Sequence, residues 1–139
     1  RGNLYYLDCY NANPASMLDT LRFFQRLAGG VPKLYALGGM EELGEDGPRL
    51  HRETGAKLRL ASTDRVVLIG EKASWMREGI LATGADEEAV NVTQDVEEAR
   101  GIVADFEGAV LLKGSRTNAL ETIVPEWAID EENADHGRC

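Results

Sequence analysis

The chain has 139 residues with a net charge of −9, and only two of the residues are cysteines. This length fits a single domain that folds without metal, and two cysteines are too few for a disulfide framework. The acidic balance argues against a general nucleic-acid binder, which would carry a basic surface. No apolar run is long enough to span a bilayer, so we expect a cytoplasmic protein with no membrane partner. The first residue is Arg1 rather than Met, which predicts a piece of a longer protein.

Strands and helices are predicted to alternate from the start of the chain. Leu4–Cys9 is an apolar strand, and Asn13 with Pro14 forms the cap and first position of a helix that ends at Gly29. The apolar stripe of this helix is Met17, Leu21, Phe24 and Ala28. Lys33–Leu37 is a second strand. The loop GGMEELGEDGPR follows it.

The middle of the chain continues the same alternation. A helix is predicted to begin at Pro48, and a third strand covers Arg65–Ile69. The predicted stripe of the helix is Leu50, Thr54, Leu58 and Ala61. A further helix is expected around Trp75, and a short strand near Ala89–Val92.

The last third predicts one more strand between two helices. Asp95 and Glu98 have the spacing of a capping box. The stripe of the helix that they begin is Val96, Ala99, Val103 and Phe106. Ala109–Leu112 is a strand, and a helix is expected over Leu120–Trp127 before a polar, acidic end. Apolar strands that alternate with amphipathic helices predict an α/β fold, with a mainly parallel sheet and helices on both faces.

Three polar clusters follow predicted strands, and they are Asp8–Ser16, Gly38–Gly44 and Lys113–Arg116. Ligands of open α/β sheets bind beyond the carboxyl ends of the strands, so a shared edge predicts one site. Asp8 suits ribose hydroxyls, and the amides of Asn11 and Asn13 suit an adenine edge. The alternative is that Asn13 is only a helix cap while Asp8 and Asn11 bond loop amides.

The third cluster has the chemistry of an anion site. The backbone amides at Gly114 and Ser115 precede a predicted helix, and Lys113 and Arg116 are cations. The alternative is a helix start with solvated charges.

Several sharper motifs are missing from the sequence. There is no GxxxxGK[ST] loop, and no GxGxxG follows the first strand. His51 and His136 lack metal-ligand spacing, so we predict no metal site, and His51 is expected on a helix surface.

Four segments in the same order resemble the C-terminal domain of the Mur ligases. They are DCYNANPASM (Asp8–Met17), GGMEELG (Gly38–Gly44), HRETG (His51–Gly55) and LLKGSRTNALE (Leu111–Glu121). The likeness is greatest to the Mur ligases that join D-alanyl-D-alanine to UDP-N-acetylmuramoyl-tripeptide. It implies a Rossmann-like three-layer sandwich, with residues 1–128 as the C-terminal domain and 129–139 as an acidic, disordered tail.

The resemblance also implies a function in peptidoglycan precursor synthesis. Mur ligases use ATP to make an acyl phosphate that an amine then attacks. ATP and Mg²⁺ are held mainly by a central domain, against which this domain packs. The chain alone would therefore be inactive and would hold neither a catalytic residue nor a metal ligand.

The residue roles follow the matched motifs. The resemblance assigns ATP to Asp8, Tyr10, Asn11 and Asn13. It assigns D-alanyl-D-alanine to Lys113, Gly114, Ser115 and Arg116. Gly39 departs from the pattern, because the family usually has Asp there. That departure leaves two alternatives, a non-catalytic α/β binding module and a divergent Mur-type ligase for another amino acid.

Overall fold

The computed structural model describes residues 4–8 and 13–113, apart from the side chains of Leu7 and Asp8. The strands are β1 (Leu4–Asp8), β2 (Lys33–Gly38), β3 (Arg65–Ile69), β4 (Val90–Thr93) and β5 (Ala109–Lys113). The helices are α1 (Pro14–Ala28), α2 (Gly47–Gly55), α3 (Glu71–Ser74), α4 (Met76–Ala82) and α5 (Val96–Asp105). The predicted helix over Leu120–Trp127, the domain boundary at 128 and the tail lie outside the described residues.

The five strands form one sheet in the order β1-β5-β2-β3-β4, and every pair is parallel. The connections through α1, α2 and α3–α4 run in one direction across the sheet, while α5 returns to the gap between β1 and β2. Right-handed crossovers therefore place α5 on the opposite face from the other helices. The predicted parallel sheet with helices on both faces is confirmed.

Each face of the sheet has its own apolar core. On the first face, α1 packs its predicted stripe against Tyr35 and Leu111. On the second face, Ala99 and Val103 of α5 pack against the alternate residues of the same strands. The Tyr35 hydroxyl is hydrogen-bonded to Gln25 Nε2 at 3.1 Å, and burial raises the pKa of Tyr35 to about 12.

The helix starts agree only in part with the sequence. A capping box does begin α1, where Asn13 and Ser16 bond each other's backbone amides. The box predicted for Asp95 and Glu98 is wrong in one half. Asp95 Oδ1 does accept from an amide of the first turn, but Glu98 instead accepts a hydrogen bond from the Thr93 hydroxyl at 2.6 Å.

The apolar stripe predicted for the second helix is also partly wrong. The helix ends at Gly55, so Leu58 is buried from the following loop rather than from the helix. Ala61 is exposed, and its amide donates a hydrogen bond to the carboxylate of Asp64, which fixes the turn before β3. Leu50 is only half-buried.

Two glycines allow α2 and α4 to pack with their backbones almost in contact. A Cβ on Gly79 would overlap the carbonyl oxygen of Arg52, and one on Gly55 would overlap the carbonyl oxygen of Met76. Neither obstacle is a flexible side chain, so the helices would have to separate to admit a methyl group.

We therefore predict opposite effects for alanine at two helical glycines. Gly79→Ala should lower the free energy of unfolding by about 1–3 kcal/mol or more, because α4 must move away from α2. Gly101→Ala is the matched control. It lies on the exposed side of α5 with open space around it, so alanine should stabilise the protein by about 0.5–1 kcal/mol.

Urea unfolding of the two variants and the parent chain measures both changes. A Gly79→Ala variant as stable as the parent would show that the close approach of α2 and α4 is not required.

Candidate functional site

The sheet brings the three predicted polar clusters to neighbouring positions on one edge. Lys113 ends β5, and in the register of the sheet its Cα partners are Asp8 at the end of β1 and Leu37 near the end of β2. The strands are parallel, so the segments that follow all three leave from the same edge. The predicted shared edge is confirmed at the level of the strands.

Six of the eight predicted site residues are placed by the described structure only in part or not at all. Tyr10, Asn11 and the segment 114–116 lie outside the described residues, and Asp8 is placed by its backbone alone. Their predicted ligand contacts stay predictions. Asn13 and Lys113 are the two site residues whose side chains the structure describes.

Asn13 acts as a helix cap, as the simpler alternative had it. Its Oδ1 accepts a hydrogen bond from the Ser16 amide at 2.9 Å, and its own amide donates to the Ser16 hydroxyl at 3.1 Å. The cap uses the side-chain oxygen and fixes the rotamer. The side-chain NH₂ group is not used by this cap, so capping and ligand binding do not compete for the same atom.

Lys113 is a buried cation at the end of the strand between β1 and β2. Its side chain is 1% exposed. Alternation along β5 puts it on the same face as Ala109 and Leu111, which is the face that α1 covers. A lysine ammonium group at this edge suits a site for anionic groups.

The segment Gly39–Leu43, which we call the β2 loop, forms the next part of the edge. Met40 is buried, and Glu41 Oε1 lies 2.6 Å from Lys72 Nζ at the start of α3. Glu42 is the one residue other than glycine with a positive φ among the described residues, at 62°. A left-handed conformation there costs about 1–3 kcal/mol, which the surrounding contacts must offset.

His51 is the residue that the sequence reasoning placed wrongly. It is fully buried rather than on a helix surface. Its Nε2 lies 2.8 Å from the Met40 amide nitrogen, and its Nδ1 lies 2.7 Å from the Gly47 carbonyl oxygen. The missed signal is helical spacing: His51 is three residues before Thr54, which the sequence had placed on the buried stripe.

The described residues also form a cleft of about 390 Å³ at the opposite edge of the sheet, near Leu60, Arg65, Ala85 and Glu88. It lies by the amino ends of β3 and β4, where ligands of parallel sheets are not expected. Arg65 is used there to bond two backbone carbonyls. We therefore place the candidate site at the carboxyl edge.

Two further features of residues 4–8 and 13–113 bear on the site. No group of three or more His, Cys, Asp or Glu side chains is arranged to hold a metal ion. No helix in these ranges has the length and hydropathy that crossing a membrane requires.

Comparison with known proteins identifies the family. The family described as "Mur ligase, glutamate ligase domain" matches residues 1–116, most of the chain. The chain belongs to the C-terminal domain family of the Mur ligases. The resemblance of the four sequence segments is thereby confirmed, as is the predicted α/β fold.

This Mur ligase domain is similar to curated relatives that share one name. It is 36% identical over 129 residues to the UDP-N-acetylmuramoyl-tripeptide–D-alanyl-D-alanine ligase of Treponema pallidum. It is 32% identical over 121 residues to the ligase of that name from Bacillus subtilis. These matches cover 87% and 86% of the chain, but only 27% and 26% of the relatives. The chain thus spans about a quarter of their length.

Solved structures of similar proteins give the same result. The MurF of Acinetobacter baumannii matches with a TM-score of 0.70 and 28% identity. The MurF ligase of Thermotoga maritima, solved in complex with ADP, matches with a TM-score of 0.69 and 25% identity. Each match covers 88% of this chain and 27% of the solved chain.

The departure at Gly39 has a packing reason in this Mur ligase domain. A Cβ at Gly39 would lie 2.6 Å from Lys72 Cβ and 3.1 Å from the Ala73 amide nitrogen. Both atoms belong to or adjoin the backbone of α3, so they cannot move without the helix. The glycine therefore allows α3 to pack directly on the β2 loop.

We predict that restoring a side chain at position 39 is costly. Gly39→Ala should lower the free energy of unfolding by about 1–3 kcal/mol, and Gly39→Asp by at least as much, because α3 must shift. Gly30→Ala is the matched control, since a Cβ there would meet nothing within 4 Å. Thermal unfolding of the three variants tests this. Equal stability of Gly39→Asp and the parent would contradict the packing reason.

Proposed function

We propose that this chain is the C-terminal domain of an ATP-dependent ligase that joins D-alanyl-D-alanine to UDP-N-acetylmuramoyl-tripeptide in the bacterial cytoplasm. The observation that carries the proposal is the register of the sheet, which sets Lys113 beside the end of β1 and of β2. Its support from comparison is that the curated relatives bear the name of this ligase and that a similar MurF was solved with ADP.

The proposed reaction has two steps. The carboxylate of the tripeptide attacks the γ-phosphorus of ATP, which gives an acyl phosphate and ADP. The amine of D-alanyl-D-alanine then attacks the acyl carbon, inorganic phosphate leaves, and the amine loses a proton. The contribution of this domain is to orient the two substrates and to supply positive charge. Mg²⁺ is assigned to the central domain, as the resemblance to the Mur ligases implies.

The nucleotide is assigned to the segment after β1. Asp8 would accept the ribose hydroxyls, and Tyr10 and Asn11 would line the adenosine. Asn13 would donate from its NH₂ group, which the capping box does not use. The cap supports this role, because it holds the Asn13 side chain in one orientation before the ligand arrives.

The dipeptide is assigned to the segment after β5. Arg116 would bind its carboxylate, since a guanidinium and a carboxylate form two parallel hydrogen bonds. The amides of Gly114 and Ser115 would add donors at the same place. Lys113 would contribute the positive potential of a buried cation, and burial strengthens that potential because little water screens it.

Completion of the site is assigned to packing against a central domain, as the resemblance to the Mur ligases implies. We therefore expect the isolated chain to have no ligase activity. The alternative of a non-catalytic binding module rests mainly on Gly39, where the family usually has Asp. The contact of that glycine with α3 gives it a packing role instead, so the structure adds no support for lost activity.

The test is phosphate release by the full-length protein that carries this domain, given ATP, Mg²⁺ and UDP-N-acetylmuramoyl-tripeptide. Release should depend on added D-alanyl-D-alanine. Release that is driven instead by another amino acid would favour the divergent ligase, and no release with any acceptor would favour the binding module.

Arg116→Ala should raise the KM for D-alanyl-D-alanine about tenfold to a hundredfold, because one charge-assisted pair is lost. Its effect on the KM for ATP should be small. Arg100→Ala is the matched control, since Arg100 pairs with the exposed Glu97 on α5 and belongs to neither segment assigned to a substrate. An unchanged dipeptide KM in Arg116→Ala would refute the assignment of this segment.

A further inference from the structure

The hydrogen bonds of His51 allow only one protonation state. The Met40 amide can only donate, so Nε2 must be an unprotonated acceptor. The Gly47 carbonyl can only accept, so Nδ1 must carry the proton. The neutral ring with its proton on Nδ1 satisfies both partners. A protonated ring would set one N–H against another at the Met40 amide.

The surroundings of His51 favour this neutral form. The ring is buried and packs edge-on against Trp75, with 5.2 Å between ring centroids. Burial lowers the pKa of His51 below its ordinary value of 6.5, the Gly47 carbonyl opposes this, Lys72 lowers the pKa further and Glu41 raises it. The neutral state is therefore populated at neutral pH.

The β2 loop depends on this contact. Glu42 holds a left-handed conformation, which persists only where neighbouring contacts enforce it. The Glu41–Lys72 pair is exposed, so it contributes little. The bond from Met40 to His51 is buried, and breaking it would leave a buried amide without an acceptor.

We propose that His51 is the positioning residue of the β2 loop, and that through the Met40 amide it sets the part of the ligand edge beside β5. This role rests on the proposed function, because the edge matters only if substrates bind there. His51 does not touch substrate in this account. It acts through a loop that begins directly after β2, whose Leu37 is the register partner of Lys113.

Two substitutions test the two hydrogen bonds of His51 independently. His51→Asn keeps a donor near the Nδ1 position for Gly47 but cannot reach Met40. His51→Gln is long enough to present an oxygen to the Met40 amide. His136→Gln controls for the other histidine of the sequence. The first readout needs no ligase activity: NMR of the ring nitrogens and amide hydrogen exchange of the 139-residue chain.

The expected NMR result is a ring protonated on Nδ1 that titrates only below 6.5. Exchange at the Met40 amide should quicken about tenfold or more in His51→Asn and much less in His51→Gln, with α1 unchanged. A ring protonated on Nε2, a titration at or above the ordinary value, or equal exchange in both variants would overturn the proposal.

The second readout is the KM for ATP and for D-alanyl-D-alanine in the full-length protein. His51→Asn should raise at least one KM about tenfold, and His51→Gln should restore most of the loss. The parent should also lose apparent affinity as pH falls through the His51 pKa. If both variants match the parent in KM and in this pH profile, the positioning role is refuted. If the parent shows no ligase activity, the proposed function fails, and the NMR result alone decides the role of His51 in the loop.

Discussion

The candidate site depends on β5 lying between β1 and β2 in parallel register. This arrangement follows from the crossover through α5, which returns across the face of the sheet that α1, α2 and α4 leave uncovered. With any other strand between them, the segments after β1 and β2 would not flank the end of β5. The register sets Lys113 opposite Asp8 on one side and Leu37 on the other, so the chemistry of three distant segments converges on one edge.

The second constraint is how closely the β2 loop packs on its neighbours. Gly39 lets the backbone of α3 approach the loop, and His51 binds the Met40 amide from α2. At the surface, Glu41 of the β2 loop pairs with Lys72 of α3. The loop is thus held from both sides in a conformation that includes a left-handed Glu42. Interactions of this kind make an edge rigid before a ligand binds, which lowers the entropy cost of binding.

The strands could be predicted well from the sequence and the buried face of α2 could not, and the reasons are physical. Continuous apolar runs bounded by glycine identify buried strands, and their ends were right to within a residue or two. The buried face of α2 is formed by His51, Thr54 and glycine, so apolar periodicity could not find it. Glu98 was assigned to a cap, but the nearby Thr93 hydroxyl competes for its carboxylate.

The strand order itself depends on pairings between distant segments, which local patterns do not encode. The shared edge could still be predicted, because it needs only that the strands be parallel.

The central claim is that the segments after β1, β5 and β2 form a single ligand edge. Hydrogen–deuterium exchange of the full-length protein, with and without a non-hydrolysable ATP analogue and D-alanyl-D-alanine, tests it most directly. The account predicts ligand-dependent protection in peptides that cover residues 8–16, 38–44 and 113–116. Peptides over residues 60–65 and 84–89, at the opposite edge, should be unchanged. Protection confined to that opposite edge, or absent from all three segments while the ligands are bound, would contradict the account.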